Sequence, residues 1–330
     1  MTRFGYTLMT EQSGPRELVG YAAQAEKVGF DLLVSSDHYF PWLDSQGHAP
    51  NAWTMLGAVA QVTSRVELMT YVTCPTIRYH PAVVAQQAAT LALLSDNRFL
   101  LNLGSGENLN EHVVGEGWPA VGERHDMLEE AMTIIRGLLD GERMTWEGNH
   151  FRVDQAQLWD LPERPVEIGV AVSGEQSVER FAPLADHLVA VEPDADLVGR
   201  WEAERAEPSR KIGQVPICWD PSKDAAIERA HDQFRWFGGG WAVNADLPTT
   251  AAFAAASQFV RPDDVAGSIS CGPDIDAHVE AVAAYWEAGF TDVAIVQVGD
   301  DGQQRFLDEA AAPLLEALRA AAPKTAARED

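Results

Sequence analysis

The strongest constraint on the fold is a regular alternation of short apolar runs with longer amphipathic segments. Residues 4–9 and 30–35 are typical of buried strands, and the apolar residues between them recur at helical spacing up to Gly29, which is suited to end a helix. Comparable units continue to a last strand at residues 292–298, which makes about eight units in roughly 300 residues. This arithmetic predicts an α/β fold of the (β/α)8 or TIM-barrel type. A doubly wound parallel sheet stays open as the alternative, because periodicity alone does not distinguish the two.

The whole chain is predicted to form a single barrel domain with insertions. A hairpin insertion is expected at about residues 142–160, turning at Gly148 and Asn149, because strand-like residues flank that turn signal. Residues 237–261 lack a clean period and begin with a glycine-rich run, so we expect either a lid-like insertion or a poorly ordered connection there. Residues 321–330 are expected to be a flexible tail.

Charge and cysteine content exclude several classes of protein. The chain has 24 Lys and Arg against 50 Asp and Glu, a formal net charge of −26. Such a chain repels nucleic-acid phosphates and anionic membrane surfaces, so neither is an expected partner. Cys74, Cys218 and Cys271 are far apart and form no CxxC motif, which argues against a disulfide framework and fits a reducing compartment. Because no signal peptide or membrane span is evident, we expect a soluble cytoplasmic protein.

Polar residues follow the ends of successive predicted strands, where a barrel of this type carries its chemistry. Glu11 follows the first strand, Asp37 and His38 follow the second with Trp42 close behind, and Glu107 follows the fourth. A histidine moves protons near neutral pH, and a neighbouring carboxylate raises its basicity. Two alternatives remain open: His38 as a loop histidine bonded to backbone, and Glu107 as a simple cap of the next helix.

Two glycine-containing loops are candidates for ligand contact. Residues 104–110 (GSGENLN) lack the third glycine of a dinucleotide fingerprint and follow a fourth strand, so a Rossmann site is excluded. Residues 172–178 (VSGEQSV) join a strand to a helix, where free N–H groups and the helix dipole favour a phosphate. No histidine pair has metal-binding spacing, so no metal is expected.

Several motifs in combination resemble one family. They are Ser36-Asp37-His38, Pro41-Trp42, and Gly104-Ser105-Gly106-Glu107 followed by Asn110. With them the sequence resembles the coenzyme F420-dependent glucose-6-phosphate dehydrogenases, which are barrels of the luciferase-like monooxygenase superfamily. The resemblance is dense over about residues 4–140, moderate to about residue 190, and thin beyond except at the last strand and helix.

The resemblance implies a deazaflavin, coenzyme F420, at the barrel mouth and a homodimeric assembly. His38 then corresponds to the base that removes the substrate hydroxyl proton, and Glu107 to the acid near the cofactor ring. Trp42 corresponds to the aromatic residue beside the reacting centre, and Glu11 to a supporting carboxylate. A cis non-proline peptide of the family would fall at Tyr71-Val72. The implied cofactor-binding positions are Asp37, Tyr71, Val72, Cys74, Gly106, Glu107, Asn110, Val172, Ser173, Gly174 and Ser177.

The basic cluster that holds the substrate phosphate in these sugar-phosphate enzymes is missing. Residues 191–196 are acidic where a lysine is expected, and residues 237–246 and 265–270 contain no Lys or Arg. Because carboxylates repel a phosphate dianion, we expect a small-molecule substrate other than glucose 6-phosphate, namely a non-phosphorylated alcohol or its carbonyl partner. The expected residues of its apolar pocket are Trp42, Trp236, Phe237, Trp241 and Asn244.

Two other functions stay open at this level. The same barrel could carry FMN as an oxidoreductase or monooxygenase, or it could bind F420 without catalysis. The combination of His38, Trp42 and Glu107 argues against a mere carrier, because storage needs no proton-transfer pair.

Overall fold

A closed barrel of eight parallel strands forms the centre of the protein in a computed structural model that describes residues 2–323. The strands in chain order are β1 (Arg3–Leu8), β2 (Leu32–Ser35), β3 (Glu67–Thr70), β4 (Phe99–Leu103), β5 (Met144–Glu147), β6 (Arg152–Ala156), β7 (Ile168–Ala171), β8 (His187–Ala190), β9 (Lys211–Cys218), β10 (Ser270–Cys271) and β11 (Asp292–Gln297). Neighbours around the ring run β11–β1–β2–β3–β4–β7–β8–β9, and β9 pairs in turn with β11. This closure confirms the barrel and rules out the doubly wound sheet, whose edge strands stay unpaired.

Helices connect the successive barrel strands, as parallel neighbours require. They are α1 (Pro15–Val28), α2 (Ala52–Val62), α3 (Pro81–Leu94), α4 (Asn108–Glu111), α5 (Val121–Leu139), α6 (Glu175–Phe181), α7 (Ala195–Ala203), α8 (Lys223–Phe234), α9 (Trp241–Asn244), α10 (Thr250–Ala256), α11 (Pro262–Ala266), α12 (Ile275–Glu287), α13 (Gln303–Glu309) and α14 (Ala311–Ala321). Local sequence sets their ends: α1 begins at Pro15 and stops at Gly29, which has a left-handed φ of 117°. None of these helices is long and apolar enough to cross a lipid bilayer.

Apolar side chains fill both the inside of the barrel and the layer between its strands and helices. The interior cluster consists of Leu32, Val34, Met69, Leu100, Val189, Ile212 and Ala294. Tyr71, Val72 and Ala171 pack on this cluster and are only partly buried. Because all three lie at or just beyond the carboxyl ends of strands, they form an apolar floor at the barrel mouth.

Two segments extend beyond the simple barrel pattern. β5 and β6 form an antiparallel hairpin, and the N–H of Gly148 in its turn donates to the carbonyl of Phe151. The region without a sequence period is not a disordered connection: it contains a 3-10 turn at Arg235–Gly239 followed by α9 and α10. Thr249 caps α10 by accepting from the N–H of Ala252, and Phe253 anchors that helix in the interior. The buried apolar side chains of this region, Trp236 and Phe253 among them, do not recur at a helical or strand period, so the sequence shows no regular pattern there.

The chain end differs in part from the expected tail. Ala321 is the last residue of α14, and residues 324–330 of the expected tail lie outside the described part of the chain.

An ion-pair network joins strand starts at the opposite, amino-terminal end of the barrel. Asp292 Oδ1 lies 2.7 Å from Arg3 Nη2 and 2.9 Å from Arg210 Nη2. Glu67 Oε2 lies 2.9 Å from the other terminal nitrogen of Arg3 and 2.9 Å from Arg210 Nη2. Asp292 is only 1% exposed, so this network ties together strands that are distant in sequence.

Candidate active site

A buried carboxylate–imidazole pair lies at the carboxyl ends of β1 and β2. Nδ1 of His38 lies 2.8 Å from Oε1 of Glu11, although the N–H does not point squarely enough to count as a hydrogen bond. The hydroxyl of Ser36 donates to the other oxygen of Glu11 at 2.6 Å. Glu11 is 1% exposed and His38 is 8% exposed, so both groups are largely screened from bulk water.

Glu107 approaches the other side of the same imidazole. Its Oε2 lies 3.5 Å from His38 Nε2 and also accepts a hydrogen bond of 3.2 Å from the Asn110 amide. Glu107 occupies the position before α4, but its side chain makes no capping hydrogen bond. The structure therefore supports neither of the two alternative roles left open by the sequence. His38 contacts two carboxylates rather than backbone, and Glu107 does not cap the helix that follows it.

Burial and charge shift the pKa values of this cluster in different directions. Burial alone would lower the pKa of His38, but the charges of Glu11 and Glu107 outweigh it and raise the pKa to about 9. Burial raises the pKa of Glu107 to about 7, with repulsion from Glu11 and Glu111 adding to the effect and attraction to His38 opposing it. Burial likewise opposes ionisation of Glu11, but the charge of the adjacent His38 and the hydrogen bond from Ser36 lower its pKa overall. Near neutral pH the cluster holds exchangeable protons at His38 and Glu107.

An aromatic stack lines one side of the imidazole. The ring of Trp42 meets His38 edge-on, with ring centroids 4.8 Å apart. The opposite neighbour of Trp42 is Trp236, which stacks on it at 4.1 Å with an interplanar angle of 13°. Phe253 packs edge-on against Trp42. The turn at Arg235–Gly239 and α10, which we call the lid segment, therefore supply an apolar wall beside the imidazole.

Two charged residues behind the site, Arg78 and Glu111, were not singled out from the sequence pattern. Arg78 Nη2 donates to the backbone carbonyl of Asp37 at 2.7 Å and to its Oδ1 at 3.2 Å. The N–H of Arg78 donates to Oε2 of Glu111 at 2.8 Å. Burial raises the pKa of Glu111 to about 7, against the attraction of Arg78. Arg78 and Glu111 thus fix the backbone that precedes His38 and follows Glu107. The only sequence signal for them was their place near strand ends.

Asp37 has its carboxylate oxygens occupied by groups of the protein itself. Trp53 Nε1 donates to Oδ2 at 3.2 Å, and the Thr73 hydroxyl donates to the same oxygen at 2.8 Å. The other oxygen accepts from Arg78 and from the Tyr79 hydroxyl, each at 3.2 Å. A contact between Asp37 and a cofactor stays a prediction, and the observed role of Asp37 is to fix the strand end beside His38.

The loops after β3 and β4 approach each other closely at the floor of the mouth. The peptide Tyr71-Val72 is cis, where the resemblance places it. A Cβ atom on Gly104 would lie 2.6 Å from Val72 Cγ2, and one on Gly106 would lie 2.5 Å from the sulfur of Cys74. Gly106 also has a φ of 80°, so only glycine suits this position.

The expected phosphate loop is built around one serine. Ser177 Oγ accepts from the backbone N–H groups of Ser173 and Gly174, each at 3.2 Å, and donates to the Gly174 carbonyl at 2.8 Å. Val172 is buried, whereas Ser173 is exposed. A phosphate contact at this loop stays a prediction.

The remaining expected pocket residues take different positions. Asn244 is buried, and its amide donates to the Trp236 carbonyl at 3.3 Å, so it supports the lid from behind. Phe237 is partly buried against Trp236. Trp241 is 44% exposed and lies on the outer side of the lid. Within residues 2–323 no cluster of three or more metal-ligating side chains occurs.

The mouth fits a flat ring with an apolar face and polar edges. The partly exposed floor of Tyr71, Val72 and Ala171 offers the apolar surface. His38 and Glu107 stand beside it with exchangeable protons. The arrangement can give a proton to, or take one from, an oxygen atom of a molecule bound beside the His38 imidazole.

Comparison with known proteins agrees with this geometry. The luciferase-like monooxygenase family model matches residues 1–292. An F420-dependent glucose-6-phosphate dehydrogenase of Microbacterium testaceum is 34% identical over 96% of this chain and 97% of its own length. An F420-dependent hydroxymycolic acid dehydrogenase of Mycobacterium tuberculosis is 37% identical over 86% of this chain and 80% of its own. An F420-dependent secondary alcohol dehydrogenase, solved with an F420-acetone adduct, superposes with a TM-score of 0.87 at 27% identity, covering 96% of this chain and 99% of that one.

The chain therefore belongs to the luciferase-like monooxygenase family of barrels. Within that family its relatives are F420-dependent dehydrogenases, which confirms the resemblance and the expected cofactor class and defines an oxidoreductase.

Proposed function

We propose that this protein transfers a hydride between coenzyme F420 and an alcohol or its carbonyl partner, and that the substrate carries no phosphate. The observation that carries the proposal is the buried His38, held between Glu11 and Glu107 and packed against Trp42 at the barrel mouth. A cofactor carrier needs no such proton-transfer pair, and buried titratable pairs of this kind concentrate at catalytic sites.

The floor residues Tyr71, Val72 and Ala171 would hold the deazaflavin ring, with Gly106 giving close backbone approach. When bound, the deazaflavin supplies the hydride acceptor or donor, which no amino acid side chain provides. Glu107 then supplies or takes a proton at the ring side, and Asn110 fixes the Glu107 carboxylate by its hydrogen bond.

His38 handles the proton on the substrate oxygen. With a pKa of about 9 it is protonated at neutral pH, so the resting site is ready to donate a proton to a carbonyl oxygen. In the alcohol-oxidising direction the neutral imidazole accepts the hydroxyl proton as hydride leaves the carbon. Glu11 stabilises the imidazolium in both directions, and the lid excludes water that would weaken this pair.

The charges in two surface grooves are consistent with a non-phosphorylated substrate. The loop after β8 forms an open groove of about 550 Å³ that is lined by Glu192, Asp194 and Asp196 together with Pro193 and Ala195. A second groove, of about 390 Å³, runs along the lid, and its lining is mainly apolar with Asp264 as the charged member. Neither groove has a cationic lining residue, so neither offers a partner for a phosphate dianion.

A direct test is the bleaching of oxidised F420 by the purified protein with a panel of secondary alcohols, a primary alcohol and glucose 6-phosphate. We expect turnover with the alcohols, and reduction of the matching ketones by reduced F420. Turnover with glucose 6-phosphate that exceeds the alcohols would overturn the substrate half and leave the cofactor half intact. Tight binding of FMN with no binding of F420 would overturn the cofactor half.

The homodimer and the cytoplasmic location belong to the proposal as expectations from the sequence. Val62, Val83, Leu93 and Leu94 are exposed aliphatic residues on α2 and α3, and a second copy could cover them. Light scattering across a dilution series would show a mass twice that of the chain if they do, and a monomer mass throughout would reject the dimer.

A further inference from the structure

Two cysteines that are remote in sequence are direct neighbours in the fold. Cys218 is the last residue of β9, and Cys271 is the second residue of the two-residue strand β10. The parallel pairing of these strands sets Cys271 opposite Cys218. Both are free thiols. The spacing of the cysteines along the chain did not predict this pair, because the whole lid segment lies between β9 and β10 in the sequence.

Strand geometry brings the two residues within reach of a covalent bond. Neighbouring strands lie about 4.8 Å apart, and the Cα atoms of disulfide-bonded cysteines are usually about 4.4–6.8 Å apart. β10 has only two residues and is followed by Gly272 with a φ of 113°. The backbone of this short strand can therefore shift slightly to bring the two sulfur atoms into bonding distance. A central strand pair would resist the same adjustment.

The two thiols have unequal environments. Cys218 is fully buried, whereas Cys271 is partly exposed. Interaction with the Cys218 thiol lowers the pKa of Cys271, and the charge of Lys223 adds to the effect against the opposing effect of burial. The same interaction, together with burial, raises the pKa of Cys218. Cys271 is therefore the thiol that an oxidant reaches first and the one that more readily forms a thiolate.

We propose that Cys218 and Cys271 form an oxidisable dithiol, a modification site that hydrogen peroxide converts to a disulfide. The Cys271 thiolate attacks one peroxide oxygen, the O–O bond breaks, and Cys271 becomes a sulfenic acid, while the departing hydroxide takes up the proton that the thiol had lost and leaves as water. The Cys218 sulfur then attacks the Cys271 sulfur, its proton leaves with the hydroxyl as a second water, and the S–S bond forms. In total the two thiols lose two electrons and two protons, and one peroxide becomes two waters.

This bond would fasten the lid to the barrel. Cys218 belongs to the same apolar cluster as Trp42, Trp236 and Phe253, and Cys271 packs against that cluster. The lid residues Trp236 and Phe253 come before β10 in the chain, and β9 comes before both, so a disulfide closes a loop around the lid segment. We expect the oxidised protein to unfold at a higher temperature, and its lid to be cleaved more slowly by protease, with both changes reversed by dithiothreitol.

The third cysteine gives an internal control. Cys74 is buried on the opposite side of the site, beside Thr76, and burial raises its pKa. The native protein, treated with a small excess of hydrogen peroxide and then alkylated, should yield a peptide that links Cys218 to Cys271, with Cys74 still unoxidised. Cys74→Ser should keep this crosslink, and Cys271→Ser should abolish it. Cys218→Ala is a second variant that lacks one of the two thiols and should likewise abolish the crosslink. It is chosen because alanine keeps an apolar side chain in the cluster.

The outcomes separate cleanly. A Cys218–Cys271 crosslink that forms in the native protein and is reversed by thiol supports the proposal. Crosslinks through Cys74, oxidation of Cys271 to sulfinic acid without a crosslink, or a crosslink that appears only after denaturation would each overturn it. The readout is a covalent mass and does not depend on the cofactor or substrate, so its result is independent of the proposed function.

Discussion

Nδ1 of His38 lies 2.8 Å from Oε1 of Glu11, and both side chains are nearly completely buried at the barrel mouth. A buried histidine ordinarily loses its charge, but this one keeps it, because the carboxylate beside it outweighs the effect of burial. The pair therefore stores a proton where the substrate oxygen is expected to lie. Its chemistry leads to the first three predictions.

Replacement of His38 by Ala should lower turnover by about 10²–10⁴-fold, the usual scale for a lost acid–base group. The affinity for F420 should change little, because the apolar floor is untouched. Steady-state kinetics and quenching of F420 fluorescence measure the two effects separately. His48→Ala is the matched control, since His48 is an exposed histidine of the same strand-to-helix connection and should behave as wild type. Wild-type turnover in His38→Ala would refute the assigned role.

The pH profile should be bell-shaped in both directions, with limbs near the pKa of Glu107 at about 7 and that of His38 at about 9. Carbonyl reduction needs His38 protonated and Glu107 ionised, which is the main form between these values. Alcohol oxidation needs His38 neutral and Glu107 protonated. Because the pKa of His38 lies about two units above that of Glu107, roughly 1% of the enzyme has this form at the optimum.

Glu107→Gln should remove the acidic limb and move the remaining limb to lower pH, because one charge that raises the pKa of His38 is lost. An unchanged profile in this variant would contradict the assignment.

Replacement of Glu11 by Gln should lower the pKa of His38, because Glu11 is the leading charge that raises it. The alkaline limb of carbonyl reduction should therefore move to lower pH, with reduction at pH 9 falling more than reduction at pH 7. Ser36→Ala removes the hydrogen bond to Glu11 together with the two between Ser36 Oγ and Thr10, but it leaves the Glu11 charge in place and should shift the same limb less. Equal loss of activity at every pH would indicate a structural role for Glu11 instead.

Trp236 should contribute both to the stability of the folded protein and to the affinity for the substrate. Trp236→Ala removes the stack on Trp42, and we expect a loss of about 3 kcal/mol in the free energy of unfolding, with a higher KM for apolar alcohols. Trp236→Phe should be much milder, because it keeps an aromatic surface and removes an indole N–H that lacks a partner. Trp159→Ala is the control, since Trp159 is 82% exposed, and it should change stability by less than about 0.5 kcal/mol. Urea unfolding and substrate titration together test both parts, and equal behaviour of the Ala and Phe variants would contradict this role.

Asp292 should contribute to stability in a pH-dependent way. Although burial opposes its ionisation, Arg210 and Arg3 lower the pKa of this carboxyl below its usual value. Its contribution is therefore present above the pKa of the unfolded state and is lost as pH falls through the folded-state pKa. Asp292→Asn should cost about 3 kcal/mol at pH 7 and progressively less in acid, as followed by urea unfolding. Glu309→Gln breaks an exposed pair with Arg305 and should cost less than about 1 kcal/mol. A cost for Asp292→Asn that does not change with pH would refute the electrostatic origin.

The sequence by itself determined the alternation of strands and helices and the core of the site, whereas the ring closure that separates a barrel from a doubly wound sheet came from the tertiary structure. Local periodicity reports which side of each segment is buried, and chain breakers such as Pro15 and Gly29 report where helices start and stop. Parallel strands that close into a ring bring their carboxyl ends together, so a strand-end rule was enough to gather Glu11, His38 and Glu107.

Only the tertiary structure decided which groups touch across loops. The contact of Arg78 with Glu111, the stack of Trp236 on Trp42 and the pairing of Cys218 with Cys271 each join segments far apart in the chain. Such contacts depend on how loops fold back over the mouth, and no local period encodes that path. The ordered lid illustrates the limit: its cap at Thr249 and its buried side chains Trp236 and Phe253 leave no regular pattern in the sequence but stabilise the segment once the barrel supplies a surface to pack on.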